Sequence, residues 1–165
     1  MKIDVVREGD IDDLLPLMRA YSEFYEVPPD DDRLLGIARM LIEQPHEGVQ
    51  FIARGDDGAA LGFATVYMTW ETLDAGRLAV MNDLYVDAAL RGQGLGAALI
   101  EECRRFAAER RAGKLAWQTA PDNLVAQRLY ERVGATREQW VDYHLRVEPR
   151  ATPGAAAAEP GAGSG

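Results

Sequence analysis

One cysteine, Cys103, and two histidines, His46 and His144, are the whole supply of thiol and imidazole groups in a chain of 165 residues. A lone thiol closes no internal disulfide, which fits a reducing compartment. Neither histidine has a Cys, His or carboxylate at ligand spacing, so no metal is expected. Apolar runs are short. None approaches the roughly 18 residues that a membrane-crossing helix needs. The start, "MKIDVVREGD", lacks the apolar core of a secretion signal. A cytoplasmic protein with no membrane partner is the expectation. Basic residues are also scarce: the net charge is −9, which argues against a nucleic-acid partner. The shortage is local. Residues 1–60 carry 14 Asp and Glu against 6 Lys and Arg, and the remaining 105 carry 13 against 12. The acidic third is either a solvated surface or a face for a cationic partner.

Hydrophobic residues make up 47% of the chain, enough for one domain with a real core. "KIDVVRE" alternates and predicts an edge strand ended by Gly9. Asp10 is placed to cap a helix reaching about Tyr21, with Ile11, Leu14, Leu15 and Met18 on one face. "YSEFYEVPPD" is an aromatic, acidic connection that Pro28 and Pro29 keep out of helix. The acids at 30–32 open a second helix with Leu34, Ile37, Ala38 and Leu41 as its stripe. "GVQFIAR" and "ALGFATVYMTW" read as strands joined by the turn "GDDG". "RLAVMNDLYV" is a further strand whose continuous apolar stretches imply burial on both faces. The next helix carries Leu95, Leu99, Cys103 and Phe106 at helical spacing, which makes Cys103 a buried small hydrophobe. "KLAWQTA" is another strand, "NLVAQRLYERVG" a short helix ending at Gly134, and "QWVDYHLRV" a last strand. Residues 149–165, rich in Pro, Gly and Ala, predict a disordered tail behind a domain at 1–148. The element order implies an α/β domain with a mixed sheet.

Three glycines crowd "RGQGLGAALIEE", between a strand and a helix, although each costs backbone entropy. A Walker A loop would need a terminal Gly-Lys-Ser/Thr, which is missing. A dinucleotide fingerprint would fit Gly92, Gly94 and Ala97, but "DAALR" intervenes after the strand and no acid follows about 20 residues on. The third reading is Arg91-x-x-Gly94-x-Gly96. Backbone N–H groups of Gly92, Gln93, Gly94, Leu95, Gly96 and Ala97 can turn toward one diphosphate at a helix N-terminus. Side chains at Gly94 and Gly96 would stand between phosphate and backbone.

That loop resembles the Arg/Gln-x-x-Gly-x-Gly/Ala coenzyme loop of the Gcn5-related (GNAT) N-acetyltransferases. About 30 residues downstream, "DNLVAQRLYERVGA" resembles the family's Asn-x-x-Ala-x-x-x-Tyr block, on Asn123, Ala126 and Tyr130. The resemblance covers about residues 2–147. It implies the GNAT fold: an α/β domain whose mixed, mostly antiparallel sheet of six to seven strands is flanked by about four helices. It also implies acetyl-CoA as co-substrate, held by the glycine loop, Asn123, Ala126 and the strand residues Leu84, Tyr85 and Val86. By resemblance Tyr130 lies near the coenzyme sulfur, and a homodimer is expected. From position alone, Asn123 could equally cap its helix and Tyr130 could be a core aromatic.

The family reaction is attack of a neutral amine on the acetyl thioester. With an amine pKa near 10.4, only about one molecule in 2,500 is neutral at pH 7, so a base is required. Tyr130 suits protonation of the leaving thiolate. "TWETLDAGRLAVMNDLYV" and "AYSEFYE" resemble the diamine (spermidine/spermine) N-acetyltransferase type, with one departure. Those enzymes place a Glu where this chain has Asn82. Asp83 follows, but strand neighbours point to opposite faces, so either Asn82 orients a water or Glu71 or Glu23 acts through one. The acceptor side implied by the resemblance is Tyr21, Glu23, Phe24, Tyr25, Glu26, Trp70 and Glu71, with Asp83 as a further contributor. A small cationic primary amine (a polyamine, diamino acid or aminosugar) fits that composition. Protein lysine or N-terminal acetylation, and acyl-CoA binding without catalysis, are the alternatives.

Overall fold

The computed structural model describes residues 1–147, so the tail expected at 149–165 lies outside the described residues. Five strands form one sheet: β1 Lys2–Val5, β2 Gly48–Arg54, β3 Ala60–Glu71, β4 Gly76–Val86 and β5 Ala112–Ala116, in that spatial order. The first four pair antiparallel, and β4 with β5 is parallel. A parallel pair needs a long crossover, here the helix α3, Leu95–Glu109. The other helices are α1 Ile11–Phe24, α2 Asp31–Glu43 and α4 Leu124–Arg132.

The period of two along the central strands sorts side chains into two cores. On one face Ile52 and Phe63 meet Leu14, Leu17 and Met18 of α1 and Ala38 of α2. On the other, Phe51, Ala53, Ala64, Val66, Ala79 and Met81 meet Leu95, Leu99, Cys103 and Phe106 of α3. Burial pushes the Cys103 thiol up to about 12, as expected of a structural cysteine. Double-sided burial belongs to β2 and β3, not to β4, much of which is only half-buried. Side chains of β2 and β3 enter both helix-packed cores, whereas in β4 only Ala79 and Met81 are fully buried.

Several signals act as expected. Asp30 accepts a hydrogen bond from the Arg33 amide at 3.2 Å and caps α2, and Gly134 ends α4 with φ +84°. Other expectations are corrected. Helix α1 runs to Phe24, since the prolines that stop it lie four residues further on. Strand β5 is Ala112–Ala116 rather than 114–120, its start set by pairing with Arg77 of β4. One compact unit spans Met1–Ala135 and a second begins at Thr136, while the expected domain boundary at 148 lies outside the described residues. Residues 139–147 join no strand among the described residues. Val141, Tyr143, Leu145 and Val147 are 77%, 92%, 91% and 83% exposed. Alternation decides which residues share a face, but a strand also needs a neighbour's hydrogen bonds. Among the described residues the sheet has five strands, against the six to seven expected.

Phe63, 1% exposed, packs edge-on to Tyr21 at 5.9 Å and tilted against Tyr85 at 6.3 Å. Phe63→Ala should lower unfolding stability by about 3–5 kcal/mol, read from urea denaturation monitored by circular dichroism.

Candidate active site

The site begins with an irregularity in β4. Thr65 lies opposite Asp83, yet the next pair is Val66 with Met81, which leaves Asn82 as an extra residue. This is a β-bulge. Met81 points into the α3 core. In a regular strand Asp83 would share that face. After the bulge it shares a face with Thr65, whose hydroxyl accepts from Gln50 Nε2 at 3.1 Å beside Met18 of α1. The bulge therefore turns Asp83 toward α1, while Leu84 and Val86 return to the α3 side.

Three groups meet the Asp83 carboxyl. Asn82 Nδ2 donates to Oδ1 at 2.9 Å, and the hydroxyls of Thr65 and Tyr21 act on it from β3 and α1. Burial raises the carboxyl above the ordinary carboxylate range, and these hydrogen bonds offset only part of that rise. Tyr21 is in turn pushed well above its ordinary value by burial and by the Asp83 charge. Its hydroxyl also lies 3.4 Å from the Asn82 carbonyl. Tyr21 and Asn82 form one wall of a narrow cleft shared with Tyr25, Met81, Leu84, Trp117, Gln118 and Tyr130. Tyr130 stands edge-on to Trp117 at 5.2 Å. Burial, more than the nearby Tyr25, raises the Tyr130 hydroxyl and keeps it protonated at neutral pH.

Beyond β4, Asp87 accepts from the Ala89 amide at 2.9 Å and holds a short 3-10 turn, Ala88–Leu90. Gly92 and Gly94 then take left-handed dihedrals, φ +84° and +87°, which other residues resist. Gly94 is the N-cap of α3, and the first bond of its ladder runs from Ala98 N to the Gly94 carbonyl at 3.0 Å. The amides of Leu95, Gly96 and Ala97 thus precede the ladder and suit a diphosphate. Gly96 also faces α4. A Cβ there would lie 2.9 Å from Leu129 Cδ2, so this glycine lets α3 approach α4. Asn123 does cap α4, accepting from Ala126 N at 3.2 Å. Asn123, Ala126 and Tyr130 recur at helical spacing and share one side of α4. Arg91 donates from Nε to the Val86 carbonyl at 3.3 Å, with its guanidinium 5.4 Å above the Phe24 ring.

The acceptor-side residues divide. Tyr21 packs on Tyr25 at 5.1 Å and Tyr85 at 6.4 Å, and Phe24 on Tyr25 at 5.1 Å. Glu23 and Glu26 are exposed on the same stretch of chain. Trp70 and Glu71 are elsewhere. They pair with Arg77 and Gly76 at the β3–β4 turn, six residues and roughly 20 Å from Asn82 along β4. Glu71 is ion-paired to Lys114 at 2.9 Å, and Arg77 covers the Trp70 ring at 4.9 Å. The hairpin register removes both from the site, and Glu71 is no candidate base. Trp117 and Gln118 were missed. Their signal was position, directly after β5, at the strand ends where α/β sheets open to ligands.

Among the described residues no group of His, Cys, Asp and Glu could hold a metal, and no helix is long and apolar enough to cross a membrane. Residues 12–135 match the acetyltransferase (GNAT) family. The chain is 30% identical over 148 residues to the uncharacterized N-acetyltransferase YhfO of Bacillus subtilis, covering 89% of this chain and 98% of that protein. It is 29% identical over 122 residues to the aminoglycoside N(6')-acetyltransferase type 1 of Serratia marcescens, covering 72% and 82%. A crystal structure of a probable acetyltransferase superposes with a TM-score of 0.80 at 28% identity, covering 90% of this chain and 99% of that one. The matched span holds the bulge, the glycine loop and Tyr130, and the chain belongs to the GNAT family of N-acetyltransferases.

Proposed function

We propose that the chain transfers the acetyl group of acetyl-CoA to a primary amine of a small molecule carrying a second cationic group: a polyamine, a diamino acid or an aminosugar. The observation that carries this reading is the tyrosine-walled cleft. It joins the acidic, aromatic exit of α1 to Tyr130, on the helix that Asn123 caps. Support also comes from a relative named for aminoglycoside acetylation. The diamine-type layout of "AYSEFYE" supports the same class, although Trp70 and Glu71 no longer contribute to it.

Acetyl-CoA supplies the thioester that the amine attacks, and the residues present suit it. Amides 92–97 would receive the diphosphate, and Leu84, Tyr85 and Val86 would lie along the pantetheine arm. Tyr130, buried and protonated, would give its proton to the departing sulfur. Aromatic faces of Tyr21, Phe24 and Tyr25 would attract an ammonium by about 0.5–2 kcal/mol each. Carboxylates near the reacting nitrogen would raise its pKa and oppose deprotonation. A second cationic group escapes this conflict: Glu23 and Glu26 hold one end while the other reacts. The homodimer expected from the resemblance is supported by the exposed apolar row at 141–147, which water disfavours. Sedimentation of the full chain tests it.

Gly94→Val puts a β-branched residue at φ +87°, and should abolish acetyl-CoA binding in calorimetry while circular dichroism stays native. Unchanged affinity in a folded variant would remove the loop assignment. Tyr130→Phe should lower kcat about 10²-fold or more where chemistry limits the rate, with little change in acetyl-CoA affinity. Wild-type turnover there would exclude the general-acid role. For the acceptor, kcat/KM should favour a diamine over its matched monoamine, and the preference should shrink in high salt and in Glu23→Gln/Glu26→Gln. Equal efficiency under all these conditions would leave acetyl transfer standing without a cationic acceptor.

A further inference from the structure

Strands β4 and β5 part within the sheet. Their last paired residues are Val80 and Ala116, while β4 continues against β3 as far as Val86. From Met81 onward, β4 has no strand on its β5 side among the described residues, and a gap opens there. Met81 and Trp117 are the first residues past the last pair. They stand at the closed end of the gap, and both line the cleft. The cleft is divided in character. Met81, Leu84, Trp117 and the Tyr130 ring belong to the apolar packing against α3, whereas Tyr21, Tyr25, Asn82 and Gln118 bring hydroxyl and amide groups. Its free volume is about 20 Å³, room for one water-sized group. A methyl is of that size.

Resting on the acetyl-transfer reading, we infer that Trp117 sets the length of the acyl group. It closes the apolar end of the cleft, so that an acetyl methyl fits and longer chains are excluded. A thioester whose sulfur lies by Tyr130 has its acyl carbons beside that end. The Trp117 ring stands edge-on to the Tyr130 ring at 5.2 Å, so an added methylene runs into the indole. The other apolar wall residues suit this task less. Met81 is 3% exposed and held in the α3 core, and Leu84 lies where the pantetheine arm is expected. Trp117 is the large apolar side chain that packs on the core and still faces the cleft. An indole has only two side-chain torsions, and its contact with Tyr130 restricts them further. Close-packed walls yield little, and one methylene in an apolar pocket is worth about 10–200-fold in kcat/KM. The bonds made and broken are the same for every donor, so volume alone separates acetyl from propionyl and butyryl.

The test compares acetyl-, propionyl- and butyryl-CoA on wild type, Trp117→Phe and Trp117→Leu, in two ways. Calorimetry gives the affinity of each donor, and of free CoA, without any acceptor. Turnover gives kcat/KM for each donor with spermidine, free lysine or an aminoglycoside, whichever reacts fastest. Wild type should disfavour each added methylene by about 10-fold or more in kcat/KM, with the same order in affinity. Trp117→Leu should cut the acetyl-over-butyryl preference by about 10-fold or more, with Trp117→Phe between the two. Free CoA affinity should hold in both variants. Trp117→Phe, the milder change, carries the comparison if Trp117→Leu lowers the thermal midpoint too far. Variants that lose turnover equally for every donor and keep the wild-type preference overturn the assignment, because Trp117 would then only support Tyr130. A wild type that takes butyryl-CoA as readily as acetyl-CoA overturns it too. Donors bound in the expected order but consumed with no amine would remove the acetyl-transfer reading and leave Trp117 as the limit on acyl length.

Discussion

One extra residue in β4 decides the geometry of this site. Without Asn82 as a bulge, Asp83 would follow Met81 into the apolar α3 core, an untenable place for a carboxylate. With it, the strand changes faces. Met81 still fills the α3 core, Asp83 meets Thr65 and Tyr21 under α1, and Leu84 and Val86 resume the α3 face. The bulge also separates two functions along one strand. Before it the strand pairs with both β3 and β5; after it the strand pairs with β3 alone and leads to the glycine loop.

The remaining parts take their positions from that strand. Its end feeds the 3-10 turn and then the left-handed Gly92 and Gly94, which deliver the amide-rich end of α3. Gly96 lets α4 approach α3, and the Asn123 cap starts α4 where Tyr130 reaches the cleft. Arg91 over Phe24 ties this coenzyme side to the exit of α1. The acidity of the first third is partly structural: Arg54 bonds Asp10 and Asp13 at 2.8 and 2.7 Å and binds β2 to the start of α1. Glu23 and Glu26 are among the acids left exposed near the cleft.

Much of this was legible in the chain. The Asp30 and Asn123 caps, the "GDDG" hairpin, the α3 stripe and the glycine loop are local signals, and local chemistry decides them. Asp10 makes no cap bond to α1, its carboxylate accepting from Arg7 N and Arg54 instead. The bulge was not legible, because alternation counts residues along one strand whereas a bulge is a property of two. Reasoning from alternation set Asp83 apart from Asn82, and the ladder brought them into contact. Trp70 and Glu71 failed for a related reason. A motif layout fixes distance along the chain, but the β3–β4 register puts those residues at the far turn. At 139–147 the alternation is strand-like, yet these residues join no strand among the described residues. The demand that Leu129 of α4 makes on Gly96 is likewise a contact between elements and has no local signal.

The most direct test of this account is a crystal structure of the full chain with a non-hydrolysable acetyl-CoA analogue, read for the register of β4. The account predicts Thr65 opposite Asp83 and Val66 opposite Met81, with the Asp83 carboxyl on Tyr21. The diphosphate should lie on amides 92–97 and the coenzyme sulfur within hydrogen-bonding reach of the Tyr130 hydroxyl. An unbroken register, with Thr65 opposite Asn82 and Asp83 turned to the α3 face, would contradict it.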